Sequence, residues 1–310
     1  MIDLQTTVGD VKIRNPLILA SGVLGSSYAS LNQAYENGFG AVTTKSIGLE
    51  SRDGYPNPSI IYLKEIKSII NAVGLANPGY KVFTNELKEM RKDVRYVVSL
   101  FGSNPDEFVQ MIEHIDEHTI VHSPSAYELN LSCPHAKKVG MAVGTDPEII
   151  NSIVRCVKKS TRKPIWVKLT PNITNIISVA EAAVSAGADA LVAINTLKAL
   201  MIDIYVKKPI LGNIRGGLSG RSIKPIGIRT IFDLFENFGQ KIPLIGVGGV
   251  SKWQDVIEYF LAGANAVQIG SALNDYSSPK ELTSKIIHGL EKYLSDENVK
   301  IGELRGLAHE

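Results

Sequence analysis

The sequence predicts an α/β protein, a single (β/α)8 barrel domain over residues 1–310, from three observations. Eight short apolar runs punctuate the chain, helical patterns fill most of the intervals between them, and a polar residue or glycine follows each run. The runs are 17–20, 41–44, 95–101, 126–131, 164–169, 190–194, 242–247 and 266–269. They are rich in Val and Ile and continuous rather than alternating, as expected of strands covered on both faces. Strands joined in this order by helices argue for a closed parallel barrel. A length of 310 residues suits that fold as one unit, and 44% hydrophobic residues supply an ordinary globular core.

Taken in order, residues 6–12 read as a hairpin turning at Gly9-Asp10, placed to close the barrel bottom. Leu87 and Met90 belong to a helix before the third strand, and Phe108, Met111, Ile112 and Ile115 to one before the fourth. Asp146 reads as an N-cap and Pro147 as the first helical residue, with an apolar stripe through Ile150, Ile153, Val154 and Val157. Helices over 179–186 and 253–261 each run into a glycine turn, at Gly187 and Gly263, that feeds the next strand. Two long insertions, 47–80 and 197–228, follow the second and sixth strands on the side where barrels build active sites.

The bulk numbers exclude several classes. With 33 basic and 31 acidic residues the net charge is +2, which gives no electrostatic case for nucleic acid or a polybasic membrane anchor. Two cysteines make no disulfide framework, and no Cys/His spacing suits zinc or iron–sulfur, so no metal is expected. The N-terminus has no leader pattern and no 18-residue apolar stretch occurs, so a soluble, cytoplasmic protein without a membrane span is expected.

The strand ends carry the chemistry. In order they present Ser21-Gly22, Lys45-Ser46, Ser99 with Gly102, Asn130 with Ser132 and Cys133, Lys168, Asn195-Thr196, Gly248-Gly249 and Gly270-Ser271. In a parallel barrel all eight converge on one mouth. Lys45 and Lys168 end apolar strands, where a buried charge needs a partner. Asn71, Asn130, Asn195 and Thr196 both donate and accept hydrogen bonds. The glycine pairs after the last two strands expose amides that suit a phosphate. Cys133 is a thiol whose pKa, ordinarily about 8.5, cationic or helix-terminal neighbours can draw toward neutrality. Cys156 falls inside a helical run and is assigned to packing.

Several segments together resemble class 1 dihydroorotate dehydrogenases: Thr44-Lys45-Ser46, Asn71-Ala72-Val73-Gly74-Leu75-Ala76-Asn77-Pro78-Gly79, Glu128-Leu129-Asn130-Leu131-Ser132-Cys133-Pro134, Lys168-Leu169-Thr170-Pro171-Asn172, Asn195-Thr196 and Gly216-Gly217-Leu218-Ser219-Gly220. The stretch from Ile202-Asp203-Ile204 to Pro209-Ile210-Leu211-Gly212-Asn213 is most similar to the class 1B catalytic subunit. The resemblance spans residues 1–290. It implies FMN as cofactor and oxidation of dihydroorotate to orotate in pyrimidine synthesis, with Cys133 as the catalytic base for the C5 proton and Lys45 beside it. It implies FMN contacts at Ser21, Lys45, Ser46, Ser99, Asn130, Lys168, Ile194, Gly220, Gly248, Gly249, Gly270 and Ser271. Substrate contacts fall on Lys45, Asn71, Ala72, Val73, Gly74, Leu75, Asn130, Asn195 and Thr196. A homodimeric core is implied, as is a partner subunit holding FAD and a 2Fe-2S cluster, in a heterotetramer. Residues 135–144 are expected to form a loop that closes over the substrate.

Two positions depart from the commonest family form. His135 stands where many relatives have Asn, and Ser99 where class 1B members often carry Asn. Two alternatives remain at this level: a dihydropyrimidine dehydrogenase-like flavoenzyme, and a non-redox phosphate-binding barrel.

Overall fold

The computed structural model describes residues 2–131 and 143–309. Eight parallel strands close into a barrel: Leu17–Leu19, Ala41–Thr43, Tyr96–Leu100, Ala126–Asn130, Ile165–Lys168, Ala190–Ala193, Leu244–Val247 and Ala266–Ile269. They pair with their chain neighbours all the way round, and the eighth closes onto the first through Val267 opposite Leu17. Each of the eight runs seen in the sequence is one barrel strand. Helices follow in the expected intervals, so this is a TIM barrel.

The helix ends follow from local chemistry. Asp146 accepts from the backbone N–H groups of Glu148 and Ile149 ahead of the helix Pro147–Ser160, whose Ile150, Ile153, Val154 and Val157 are buried. Asn104 caps Pro105–His118 in the same way, burying Phe108, Met111, Ile112 and Ile115. The helix expected over 179–186 is Ile176–Ser185, because the Asn175 side chain caps it three residues earlier. Gly187 and Gly263 have φ of +96° and +115°, the left-handed conformation that ends both helices and that glycine adopts without steric cost.

Each strand sends alternate residues inward. At the lower end these are Ile18, Ala41, Val97, Ala126, Trp166, Ala190, Ile245 and Ala266, one apolar cluster inside the barrel. The N-terminal strands Thr6–Val8 and Val11–Ile13 pair antiparallel around Gly9 and add Val8, Val11 and Ile13 to that cluster. The hairpin therefore plugs the barrel bottom, as the sequence suggested. One step higher the inward series turns polar, with Thr43, Ser99, Glu128, Lys168 and Gln268 all buried.

The two insertions are not independent loops. Ile60–Leu63 and Ser68–Asn71 come from the first, Leu197–Ala199 and Gly216–Gly220 from the second, and all four join one antiparallel sheet. Asn71 lies opposite Gly217 across the join. This sheet stands over the C-terminal ends of the barrel strands. Among the described residues, no helix is long and apolar enough to cross a membrane.

Candidate active site at the mouth of the barrel

Between the polar layer and the four-stranded roof lies a cavity of about 1040 Å³. A single ligand pocket commonly spans about 300–1,000 Å³, so there is room here for a large cofactor and a small substrate together. The wall contains Ser21, Lys45, Ser46, Asn130, Lys168, Ile194, Gly220, Gly248, Gly249, Gly270 and Ser271. From the roof and the sixth strand end come Asn71, Ala72, Val73, Gly74, Leu75, Asn195 and Thr196. Residues chosen from nine separate sequence segments thus share one space. Cys133 lies outside the described residues, as do Ser132, His135 and most of the expected closing loop.

A continuous hydrogen-bond series lines one side. Asn195 receives the Thr196 backbone N–H at 2.8 Å and donates to Asn130 at 3.1 Å. Asn130 donates to the Ser46 hydroxyl at 3.0 Å, and Ser46 meets both Ser21 at 3.1 Å and Ser99 at 2.9 Å. Each amide is held by its neighbour, which fixes the direction in which it faces. Asn172 braces the far end, donating to the Thr196 carbonyl at 2.8 Å and accepting from the Lys198 N–H at 2.8 Å. Asn71 donates to the Gly217 carbonyl at 3.2 Å, which locks roof strand to roof strand. Ser99 is fully buried behind Ser46 rather than on the cavity wall.

The two lysines differ. Lys168 is 6% exposed, with its ammonium 3.4 Å from Glu128 Oε1 and 2.8 Å from Gln268 Oε1. The Lys45 ammonium has no ion pair or hydrogen bond among the described residues, and burial lowers its pKa. Its backbone is fixed by close packing: the Lys45 N–H donates to the Gly25 carbonyl at 2.9 Å, and a Cβ on Gly25 would fall 2.5 Å from that nitrogen. A desolvated cation with no partner beside it is the natural seat for an anion.

At the opposite wall, Gly248 and Gly249 have φ of +124° and +70°, and their backbone N–H groups donate to nothing among the described residues. Tyr259 anchors this turn through its hydroxyl to the Gly248 carbonyl at 2.8 Å. A side chain at Gly22 would meet nothing within 4 Å, and one at Gly270 only ordinary contacts, so both leave open space at the wall.

The profile of the dihydroorotate dehydrogenase family matches residues 3–294. The chain belongs to that family. Among curated relatives, "Dihydroorotate dehydrogenase B (NAD(+)), catalytic subunit" of Methanocella arvoryzae is 49% identical over 302 residues, covering 97% of this chain and 96% of its own. The proteins of that name from Methanocaldococcus jannaschii and Pyrococcus abyssi are 42% and 45% identical, covering 99% and 98% of this chain and 98% and 99% of theirs. The crystal structure of Eimeria tenella DHODH in complex with ferulenol superposes with a TM-score of 0.84 at 20% identity, over 99% of this chain and 89% of that one, a likeness of fold. The chain is thus a class 1B dihydroorotate dehydrogenase, an oxidoreductase of pyrimidine biosynthesis in a flavin-dependent family.

Sequence reading missed several wall residues: Gln268, Tyr55, Lys198, Asn213, Arg215 and Asn274. Gln268 had a usable signal, because it interrupts an apolar strand as Lys168 does. The others sit in the insertions or after the last strand, where no periodicity marks which side chains turn inward.

Proposed function

We propose that the chain acts as a single FMN-binding barrel, residues 1–310, that oxidises dihydroorotate to orotate at this mouth with Cys133 as base. What carries the reading is the meeting, in one cavity, of an ammonium and a glycine turn whose N–H groups have no partner among the described residues, together with a directed amide series. The backbone amides of Gly248 and Gly249, without a partner among the described residues and with Gly270 and Ser271 beside them, suit a phosphate terminus, and Gly220 lies against the same turn. Lys168, Ser21, Ser46 and Asn130 offer the polar edge a flavin ring needs, with Ile194 as an apolar neighbour. When bound, FMN supplies an acceptor for the hydride that leaves C6 of the substrate.

The chain's own residues do the rest. Lys45 neutralises negative charge on an anionic substrate in a partly desolvated setting, where an electrostatic contact is worth more than in water. Asn71, Asn130, Asn195 and Thr196 match the alternating carbonyl and N–H groups of a pyrimidine ring, with Ala72, Val73, Gly74 and Leu75 closing the roof edge. Cys133, three residues beyond Asn130, takes the C5 proton. A thiolate there leaves an enolate-like carbon at C5 able to release hydride from C6.

The names of the relatives point to electron delivery beyond this chain: they are catalytic subunits whose reaction ends at NAD(+). We take the partner to be a subunit carrying FAD and a 2Fe-2S cluster, joined to a homodimer of this chain. The exposed side chains of Ile204, Tyr205 and Val206 on the second insertion favour an assembled state. Turnover of dihydroorotate against dihydrouracil with a dye acceptor tests the substrate. Preference for dihydrouracil would transfer the chain to the dihydropyrimidine reading, and a colourless preparation would leave only a non-redox barrel.

A further inference from the structure

Beneath the cavity wall lies a charged cluster that the proposed chemistry does not use. Glu128 is 0% exposed, on the fourth barrel strand, pointing into the barrel below the mouth. Lys168 approaches its Oε1 at 3.4 Å and the Ser99 hydroxyl donates to the same oxygen at 3.5 Å. Gln268 donates its Nε2 to Glu128 Oε2 at 2.5 Å and accepts from the Lys168 ammonium on its own Oε1 at 2.8 Å. A carboxylate only accepts and an ammonium only donates. The primary amide of Gln268 does both, so it closes the pair into a three-membered ring with every contact of the right sense.

We infer that Glu128 is a positioning residue that sets the charge presented by Lys168 to the bound flavin, and so holds the flavin's reduction potential down. The inference rests on the reading of this cavity as a flavin site. Glu128 does not line the cavity, whereas Lys168 and Gln268 do. A lone lysine at this wall would present a full positive charge to a ring that becomes more negative on reduction. With Glu128 bound behind it, the net charge of the pair is zero and only its dipole remains. Lys45 has no such companion among the described residues, so the two ammonium groups are built for different tasks. The pair also cannot be packing filler. A carboxylate taken out of water costs several kcal/mol, about what its partners return, so apolar residues would fill the space as well. The serine series extends the effect, since Ser99 joins Glu128 to Ser46 and thence to Asn130.

The test is the midpoint potential of FMN bound to the purified chain, read by dye equilibration, with retained flavin counted separately. Glu128→Gln keeps the shape and removes the negative charge. The reduced-to-oxidised ratio at fixed potential is expected to rise at least about tenfold, about 30 mV for a two-electron couple. Lys168→Gln is expected to shift it the opposite way, and the double variant to return within about threefold of the parent, as compensation of like-sized charges requires. A Glu128→Gln potential equal to the parent's overturns the inference. If that single variant does not fold, the double variant and Lys168→Gln differ only in Glu128. Equal potentials in those two overturn the inference, and a higher one in the double variant supports it. A parent chain that retains no flavin is a separate result, and it removes the proposed function along with everything built on it.

Discussion

At the scale of single residues, the cavity contrasts a partnered lysine with one that has no partner among the described residues. Burial lowers the pKa of Lys45 from the ordinary lysine value. A lysine whose folded pKa lies below its unfolded one opposes folding while charged, and that cost fades as pH rises through the folded value. For an anionic ligand the sign is reversed. Orotate affinity is expected to be full below the lowered pKa and to fall as pH climbs through it, at a lower pH than the value of about 10.4 where a free lysine titrates. A pH series of dissociation constants checks this, and Lys45→Met should bind weakly with no such dependence. An identical pH profile in that variant would take Lys45 out of substrate binding. Cys133→Ala is expected to retain its flavin while turnover falls by about 10²–10⁴, the usual worth of a general base. Near-normal turnover at neutral pH would remove the thiol from the mechanism.

At the scale of elements, the barrel separates stability from chemistry along its axis. The N-terminal hairpin seals the lower end with Val8, Val11 and Ile13, on the apolar side of the polar layer. Ile13 is buried against that cluster, so Ile13→Ala is expected to destabilise by about 2–5 kcal/mol, the range for such truncations. Denaturant melts should show the loss while the substrate affinity of the folded fraction stays unchanged. A variant with parental stability and weakened orotate binding would contradict this division. The roof works the other way. Its strands are short and open to the cavity, and glycine is required where they cross: a Cβ on Gly217 would sit 2.2 Å from the Thr196 hydroxyl. Close approach of backbone to side chain there keeps Thr196 at the wall.

At the scale of the whole molecule, the second insertion projects apolar side chains that nothing among the described residues covers. Ile204 is 73% exposed and Tyr205 89%. Exposed apolar groups clustered in this way mark contact surfaces more often than chance. The double substitution Ile204→Asp and Tyr205→Ser is expected to lower the solution mass from dimer to monomer, with flavin retained, as read by light scattering. An unchanged mass would remove this face from the subunit contact.

Read alone, the amino-acid order determined the eight strands, the caps at Asp146, Gly187 and Gly263, the plug at Gly9, and which strand ends bear polar groups. Those are short-range properties: continuous β-branched runs, capping and turn preference act within a few residues, so they are written locally. The folded chain decided what lies next to what. It joined two insertions more than a hundred residues apart into one roof, buried Ser99 behind Ser46, and brought Glu128, Lys168 and Gln268 from three strands into one ring. Such neighbours are chosen by barrel closure and by the need of each buried polar group for a partner, and neither leaves a periodic trace along the chain.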